Sequence, residues 1–248
     1  MVLLANIFQP LIDVANAVLL FLHEDVGLSW GLSIVGLTFI TRTLILPLSI
    51  KQIRSMRALS ALQPQIKEIQ EKYKDDRERQ QREMMRIYQE NNVNPFASCL
   101  PLLLQIPVFL SLFYLLRSDT FQQELECKGC DPGFLFIPNL AEPASGWVLI
   151  VLIALYAGTS VIAGLIMTGA SASKQQRMIS LGLPLLFTPF VIGFPSGVLV
   201  YWIATNVWTM GQQAVVKIFF PPPPQPTPEE VQAAKPPPPP PKKKAKNK

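Results

Sequence analysis

Hydrophobic residues along the chain fall into long blocks separated by polar stretches. Five blocks stand out, at residues 28–50, 95–116, 147–167, 178–194 and 197–216. Wound as helices rising about 1.5 Å per residue, blocks of roughly 20 residues cross a hydrocarbon core about 30 Å thick. The pattern predicts an all-α polytopic membrane protein with a five-helix transmembrane core. The block at 178–194 is the shortest and contains Pro184 and Pro189. Neighbouring helices can satisfy the backbone groups that such prolines free.

The polar intervals have patterns of their own. Residues 1–27 are apolar but interrupted by Asn6, Gln9, Asp13 and Asn16 at spacings near three or four. That spacing predicts an amphipathic segment lying on the outer surface, with a sixth span as the alternative. A cleaved signal peptide is not expected, because no basic residue opens the segment and His23-Glu24-Asp25 interrupts it before a small-residue cleavage site. Between 51 and 94, Ile53, Met56, Leu59, Leu62, Ile66, Ile69 and Tyr73 form a seam, answered by Met84, Met85, Ile87 and Tyr88. Two opposed seams predict an antiparallel helical hairpin, reversing within KYKDDRER and kinked or restarted at Pro64. A solvated, partly helical linker is the plainer alternative. The methionines fit either flexible docking of a partner or simple packing of the hairpin.

Composition agrees with a membrane setting. Of the 248 residues, 49% are hydrophobic and 16% charged, against about 25% charged in a soluble domain. Charge also orients the spans. The 51–94 segment holds ten Lys/Arg and seven Asp/Glu, the loop at 168–177 two basic residues and no acid, and the tail from Lys217 seven lysines. The head has three acids and no Lys/Arg, and the 117–146 loop two basic residues against five acids. Basic loops stay inside, so the N-terminus is expected outside and the C-terminus in the cytoplasm of a bacterial plasma (inner) membrane. The tail, 217–248, is rich in proline and lysine and cannot build a core. It is expected to be an extended cytoplasmic module suited to ribosomal RNA or anionic lipid, or else a solubilising extension. Cys99 reads as a packing residue. Cys127 and Cys130, in CKGC, read as inert or pairing thiols, a local disulfide, or a functional pair.

One residue departs from this pattern. Arg42 lies eight residues before the end of the first block, roughly 12 Å from its cytoplasmic end. A mid-membrane arginine costs at least about 2.5–3.5 kcal/mol on insertion scales, so it should face a polar or wet interior. Thr38 and Ser49 extend a polar stripe from it. Gln105 and Ser111 supply polar groups from the second block, Tyr156, Thr159 and Ser160 from the third, and Thr205, Asn206 and Thr209 from the fifth. None of the five blocks contains an acid. Three readings follow: an arginine held by hydroxyls and carbonyls in a tight bundle, an anion site in a transporter, or a wet groove accepting polar parts of another protein.

Several motifs, in order, resemble the YidC/Oxa/Alb family of membrane protein insertases. FITRTLILPLSIKQIRSMRAL resembles the family's first core span and its junction with a cytoplasmic hairpin, and LQPQIKEIQEKYKDD the hairpin's first arm. NPFASCLPLLLQIPVFLSLFYLL resembles the second core span and FPSGVLVYWIATNVWTMGQQ the last. The likeness runs from about Asn6 to Gln213. It implies five spans around a hydrophilic groove, open to cytoplasm and lipid and closed on the outer side. The groove residues it implies are Arg42, Gln105, Trp202 with Tyr201 before it, and Asn206. With Thr38 and Tyr156 from the polar stripes, these are the expected client-contacting residues. The expectation is a short form, without the large outer domain or lipoprotein signal found in other members, and CKGC matches no family feature.

The resemblance implies an insertase and chaperone that moves client transmembrane segments from cytoplasm to bilayer, alone or with the Sec translocon. Client segments are expected to leave the groove along the third and fifth spans. Newly made membrane proteins, the ribosome, the signal-recognition targeting machinery and membrane lipids are the expected partners. No Gly-x-x-x-x-Gly-Lys loop and no HExxH occur. Neither an enzymatic step nor a cofactor or metal is expected. A small-solute transporter or channel, or an assembly factor that does not insert its clients, is the alternative.

Overall fold

The computed structural model describes residues 2–94, 100–125, 131–168 and 174–219. The expectations for Cys99, for CKGC and for most of the tail lie outside these residues. Nine α-helices and one π-helical turn account for most of the described chain. Helix α1 (Val2–Leu20) runs into the π turn Phe21–Asp25 and is followed by α2 (Trp30–Ala61). Helices α3 (Gln63–Lys72) and α4 (Arg77–Glu90) come next, then α5 (Leu100–Leu116) and the short α6 (Asp119–Leu125). Helices α7 (Gly146–Thr168), α8 (Lys174–Val191) and α9 (Ser196–Phe219) complete the chain.

Two of these, α2 and α7, are long and apolar enough to cross a bilayer. Leu103–Leu116 and Ser180–Val191 are shorter apolar stretches of α5 and α8. Helix α2 has 32 residues and passes through Ile50 without a break. The backbone has no reason to stop where hydropathy does, because Lys51 to Ala61 are good helix formers. Ser29 caps its start by accepting from the Leu32 N–H. It ends one residue before α3, where Pro64 occupies a first-turn position that needs no N–H donor.

Helix α4 doubles back on α3. Gln80 Nε2 donates to the Gln70 carbonyl at 3.0 Å. Asp76 caps α4 by accepting from Arg79 N at 3.0 Å. The Arg79 guanidinium lies 5.0 Å from the Tyr73 ring centroid and Lys72 Nζ 5.5 Å. Exposed ion pairs Glu78–Arg82 and Arg86–Glu90 run along α4. Such pairs are individually worth about 0.3–0.5 kcal/mol, so the burial of Ile66 and Leu62 does more to hold this part together.

In the bundle, α9 packs on α2 and α7, α7 packs on α8, and α1 packs on α5. One apolar core runs through it, containing Ile12 and Leu19 of α1, Ile34 and Leu37 of α2, Leu112 and Leu116 of α5, and Val198 and Leu199 of α9. Trp30 is fully buried at one end. The His23 ring stacks on it at 4.0 Å and Phe121 meets it edge-on at 5.1 Å.

At that same end the 131–145 loop is sewn to the start of α9 by backbone bonds. Gly197 N donates to Leu140 O and Ser196 N to Glu142 O, each at 2.8 Å. Ser196 Oγ also donates to Glu142 O. Leu140, Ile137 and Ala141 are buried beneath. Phe134 lies so close over Gly31 that a methyl group there would fall inside its ring.

Gly31→Ala should therefore push Phe134 and its loop off α2. Overpacking typically costs about 1–3 kcal/mol. A lowered thermal midpoint is expected in detergent, whereas Gly182→Ala, which meets nothing within 4 Å, should leave the midpoint unchanged or raise it.

Candidate functional site

The expected site residues separate into three groups. In the first, Arg42 Nη2 of α2 donates to Gln105 Oε1 of α5 at 2.6 Å. Gln105 Nε2 in turn donates to the Tyr201 hydroxyl of α9. One amide thus ties three helices. Arg42 and Gln105 are half-buried, and Tyr201 is 2% exposed. Helices α2, α5, α7, α8 and α9 contain no Asp or Glu. The acceptor the structure gives the guanidinium is therefore an amide oxygen, which carries only a partial charge. A carboxylate carries a full negative charge and can accept from a guanidinium through both oxygens, so it pairs with arginine more strongly than an amide oxygen does. The arrangement retains the capacity to take a carboxylate in place of the amide.

The second group is aromatic. Phe109 of α5 stacks on Trp202 of α9 at 4.9 Å and 12°. Phe194, in the turn between α8 and α9, lies 6.0 Å from Trp202. Phe187 of α8 meets it perpendicularly at 5.9 Å, and Tyr156 of α7 lies 5.5 Å away. Four helices thus converge on one indole. Tyr156 is buried, and its hydroxyl donates to the Pro184 carbonyl of α8 at 3.4 Å.

The third group is a clasp. Asn206 Nδ2 donates to Thr159 Oγ1 at 3.1 Å and to Ser160 Oγ at 2.9 Å, joining α9 to α7. The third and fifth blocks, along which clients are expected to leave, are thus packed together as α7 and α9 and joined by Asn206. Helices α5 and α8, by contrast, have no extended packing on one another among the described residues. They meet through the rings around Trp202.

Thr38 takes a different position from the rest. It is fully buried, and its hydroxyl donates to the Ile34 carbonyl one turn back at 2.8 Å. Thr41, Thr43, Ser111 and Thr209 likewise bond carbonyls of their own helices. A hydroxyl can satisfy itself this way inside a bilayer, so it need not line anything. A glutamine or asparagine amide has two donors and an acceptor and reaches across instead. Sequence reasoning undervalued Tyr201, named only as the neighbour of Trp202, and left out Phe109, Phe187 and Phe194. The signal for Tyr201 is that it shares a helix face with Thr205 one turn on.

The geometry defines a class first: a helical protein, two of whose helices are long and apolar enough to cross a bilayer, with a cation held among the described residues by a neutral amide. Residues 21–222 match the family model of the 60Kd inner membrane protein. The chain belongs to this family, the YidC/Oxa/Alb insertases. The membrane protein insertase YidC of Streptomyces avermitilis is 36% identical over 222 residues, covering 77% of this chain and 52% of its own length. That of Haemophilus ducreyi is 34% identical over 198 residues, covering 80% of this chain and 35% of its own. A crystal structure of an active YidC insertase with its first transmembrane domain resolved superposes with a TM-score of 0.63 at 26% identity. The match covers 86% of this chain and 46% of that one. The chain thus spans about half, or less, of the length of these relatives.

Replacing Asn206 by alanine should loosen α7 from α9. In a double-mutant cycle with Ser160→Ala, read by denaturation in detergent, a coupling of about 0.5–1.5 kcal/mol is expected. Strict additivity would show that the bond does not hold the helices.

Proposed function

We propose that this chain is a membrane insertase that receives client segments at Arg42 and releases them to lipid between α5 and α8. In this reading α2, α5, α7, α8 and α9 are the five spans. The α3–α4 pair is a cytoplasmic hairpin, the N-terminus is outside and the C-terminus inside. The observation that carries the proposal is the Arg42–Gln105–Tyr201 chain, a half-buried guanidinium with a neutral acceptor.

The physical problem of insertion is that a polar flank must cross hydrocarbon. A cation with an exchangeable partner shortens the purely apolar path. An acidic flank entering from the cytoplasmic end replaces the Gln105 oxygen with a carboxylate, which binds the guanidinium more strongly. A membrane potential that is negative inside adds about 2.3 kcal/mol per charge per 100 mV to outward movement of that acid. The client's apolar stretch meanwhile lies against the rings of Phe109, Phe187 and Trp202. It passes into lipid where α5 and α8 are not packed together. Insertion in this scheme makes and breaks no covalent bond.

The α3–α4 pair offers an exposed, mixed-charge surface with Met85 among its exposed apolar residues. That surface suits transient contact with arriving chains and the machinery that delivers them, including ribosome, signal-recognition components and the Sec translocon. The lysine-rich tail would add contact with ribosomal RNA or lipid headgroups.

Purified protein in liposomes should insert a short single-span client with an acidic outward tail faster than protein-free liposomes do. Equal insertion in both would remove the proposal. Arg42→Ala should slow the acidic client roughly tenfold, the rate equivalent of about 1.4 kcal/mol. The same change should slow a neutral-tailed client much less, and Arg42→Lys should keep most of the difference because the charge is retained.

A further inference from the structure

The 131–145 loop carries a feature that its sealing role does not require. Phe134 and Ile137 exchange both backbone hydrogen bonds, each at 2.9 Å. The tight turn between them places Leu135 at a φ of 55°. That left-handed conformation is uncommon for residues other than glycine, asparagine and aspartate, and leucine gains nothing from it locally. The turn is pinned on both sides. Phe134 rests on Gly31, Ile137 is buried, and Leu140 N donates to Pro132 O. Leu135 therefore cannot fold inward, and its side chain is 85% exposed.

Its surroundings are apolar. Phe136 packs against Trp147 with ring centroids 5.8 Å apart. Trp147 is the second residue of α7 and is 62% exposed. Below it on the same helix, Ile150, Leu155, Ile162 and Leu165 are exposed at helical spacing. The apolar strip thus runs unbroken from the body of α7, through Trp147, onto the loop. Tryptophan favours the boundary between headgroups and acyl chains.

We propose that the Phe134–Ile137 turn is a membrane anchor that sets Leu135 into the lipid leaflet at the loop end of the bundle. It would lie at the level of Trp147 and clamp the seal over α9 to the bilayer. The occupant is lipid, not protein, because the strip continues a surface that already faces hydrocarbon. This rests on the reading of α7 as a membrane span. An exposed leucine at positive φ is unfavourable in water, and burial in lipid removes the exposure.

Nitroxide labelling tests it, using Leu135→Cys, Ile150→Cys and Glu142→Cys singly in a chain whose Cys99, Cys127 and Cys130 are serine. In vesicles of phosphatidylcholine and phosphatidylglycerol, relaxation by oxygen is compared with relaxation by a water-soluble nickel chelate. The oxygen-to-nickel ratio at 135 should approach that at 150 and clearly exceed that at 142, an exposed acid on the same loop. A ratio at 135 equal to that at 142 overturns the anchor. So does an immobilised label shielded from both reagents, which would mean contact with protein. Nickel access at 150 as well would overturn the span reading first and the anchor with it. A second measurement needs no substitution. A phosphatidylcholine with a photoactivatable group near its ester should crosslink to the peptide containing Leu135 to Trp147 in the unaltered chain, and absence of that product also overturns the proposal.

Discussion

Much of this structure is arranged around one unfavourable fact, a guanidinium half-buried among helices that hold no acid. Removing a cation from water is costly unless something replaces the lost hydration. A carboxylate in the bundle would replace it well, but would also bind the arginine permanently. Gln105 replaces it partially, by a single amide oxygen, and passes the demand on to Tyr201 through its own N–H. The site is satisfied enough to fold and weak enough to exchange. The proposed reception of a client at Arg42 rests on that intermediate strength.

The other polar residues of the spans show why composition alone overstates the wet interior. Serine and threonine are frequent here, and most of those described turn back on the carbonyl four residues earlier. They cost little in hydrocarbon and say little about water. The amides are different. Gln105 and Asn206 cannot be satisfied by one carbonyl, and each bridges helices, the first to a charge and the second to a pair of hydroxyls. The first is therefore the bond that the proposed function asks a client to replace, and the second joins two helices.

This division explains what was legible beforehand. The all-α character was legible in the hydropathy, because burying backbone polar groups in lipid leaves little choice but helix. Arg42 was legible as a lone charge in an apolar block, and Gln105 through its motif. The burial of Thr38 was not, since its hydroxyl looks the same in sequence whether it faces a groove or its own helix. Nor was the passage of α2 beyond Ile50 as one helix, because hydropathy changes there while helix propensity does not. The 131–145 loop was the least legible part. Its order comes from backbone bonds to Leu140 and Glu142 carbonyls, which do not depend on side-chain identity, and the left-handed turn at Leu135 has no sequence signal at all.

The two ends of the bundle are held by different kinds of bond, and this gives the molecule a direction. At the loop end the contacts with α9 are mainly backbone hydrogen bonds, joined by the Ser196 hydroxyl, over buried Leu140 and Ile137. Toward the other end, α2 and α9 are linked by side chains, among them Arg57 reaching the Val216 carbonyl at 3.5 Å. Gln52 is buried there with an Nε2 that finds no acceptor. Such contacts can be exchanged one at a time by an arriving polar segment, whereas the backbone seam opens only if the loop leaves altogether. A segment entering beside α2 would therefore meet replaceable bonds as far as Arg42 and irreplaceable ones beyond it. In the proposed function the path from that point runs sideways, past Trp202 and into lipid.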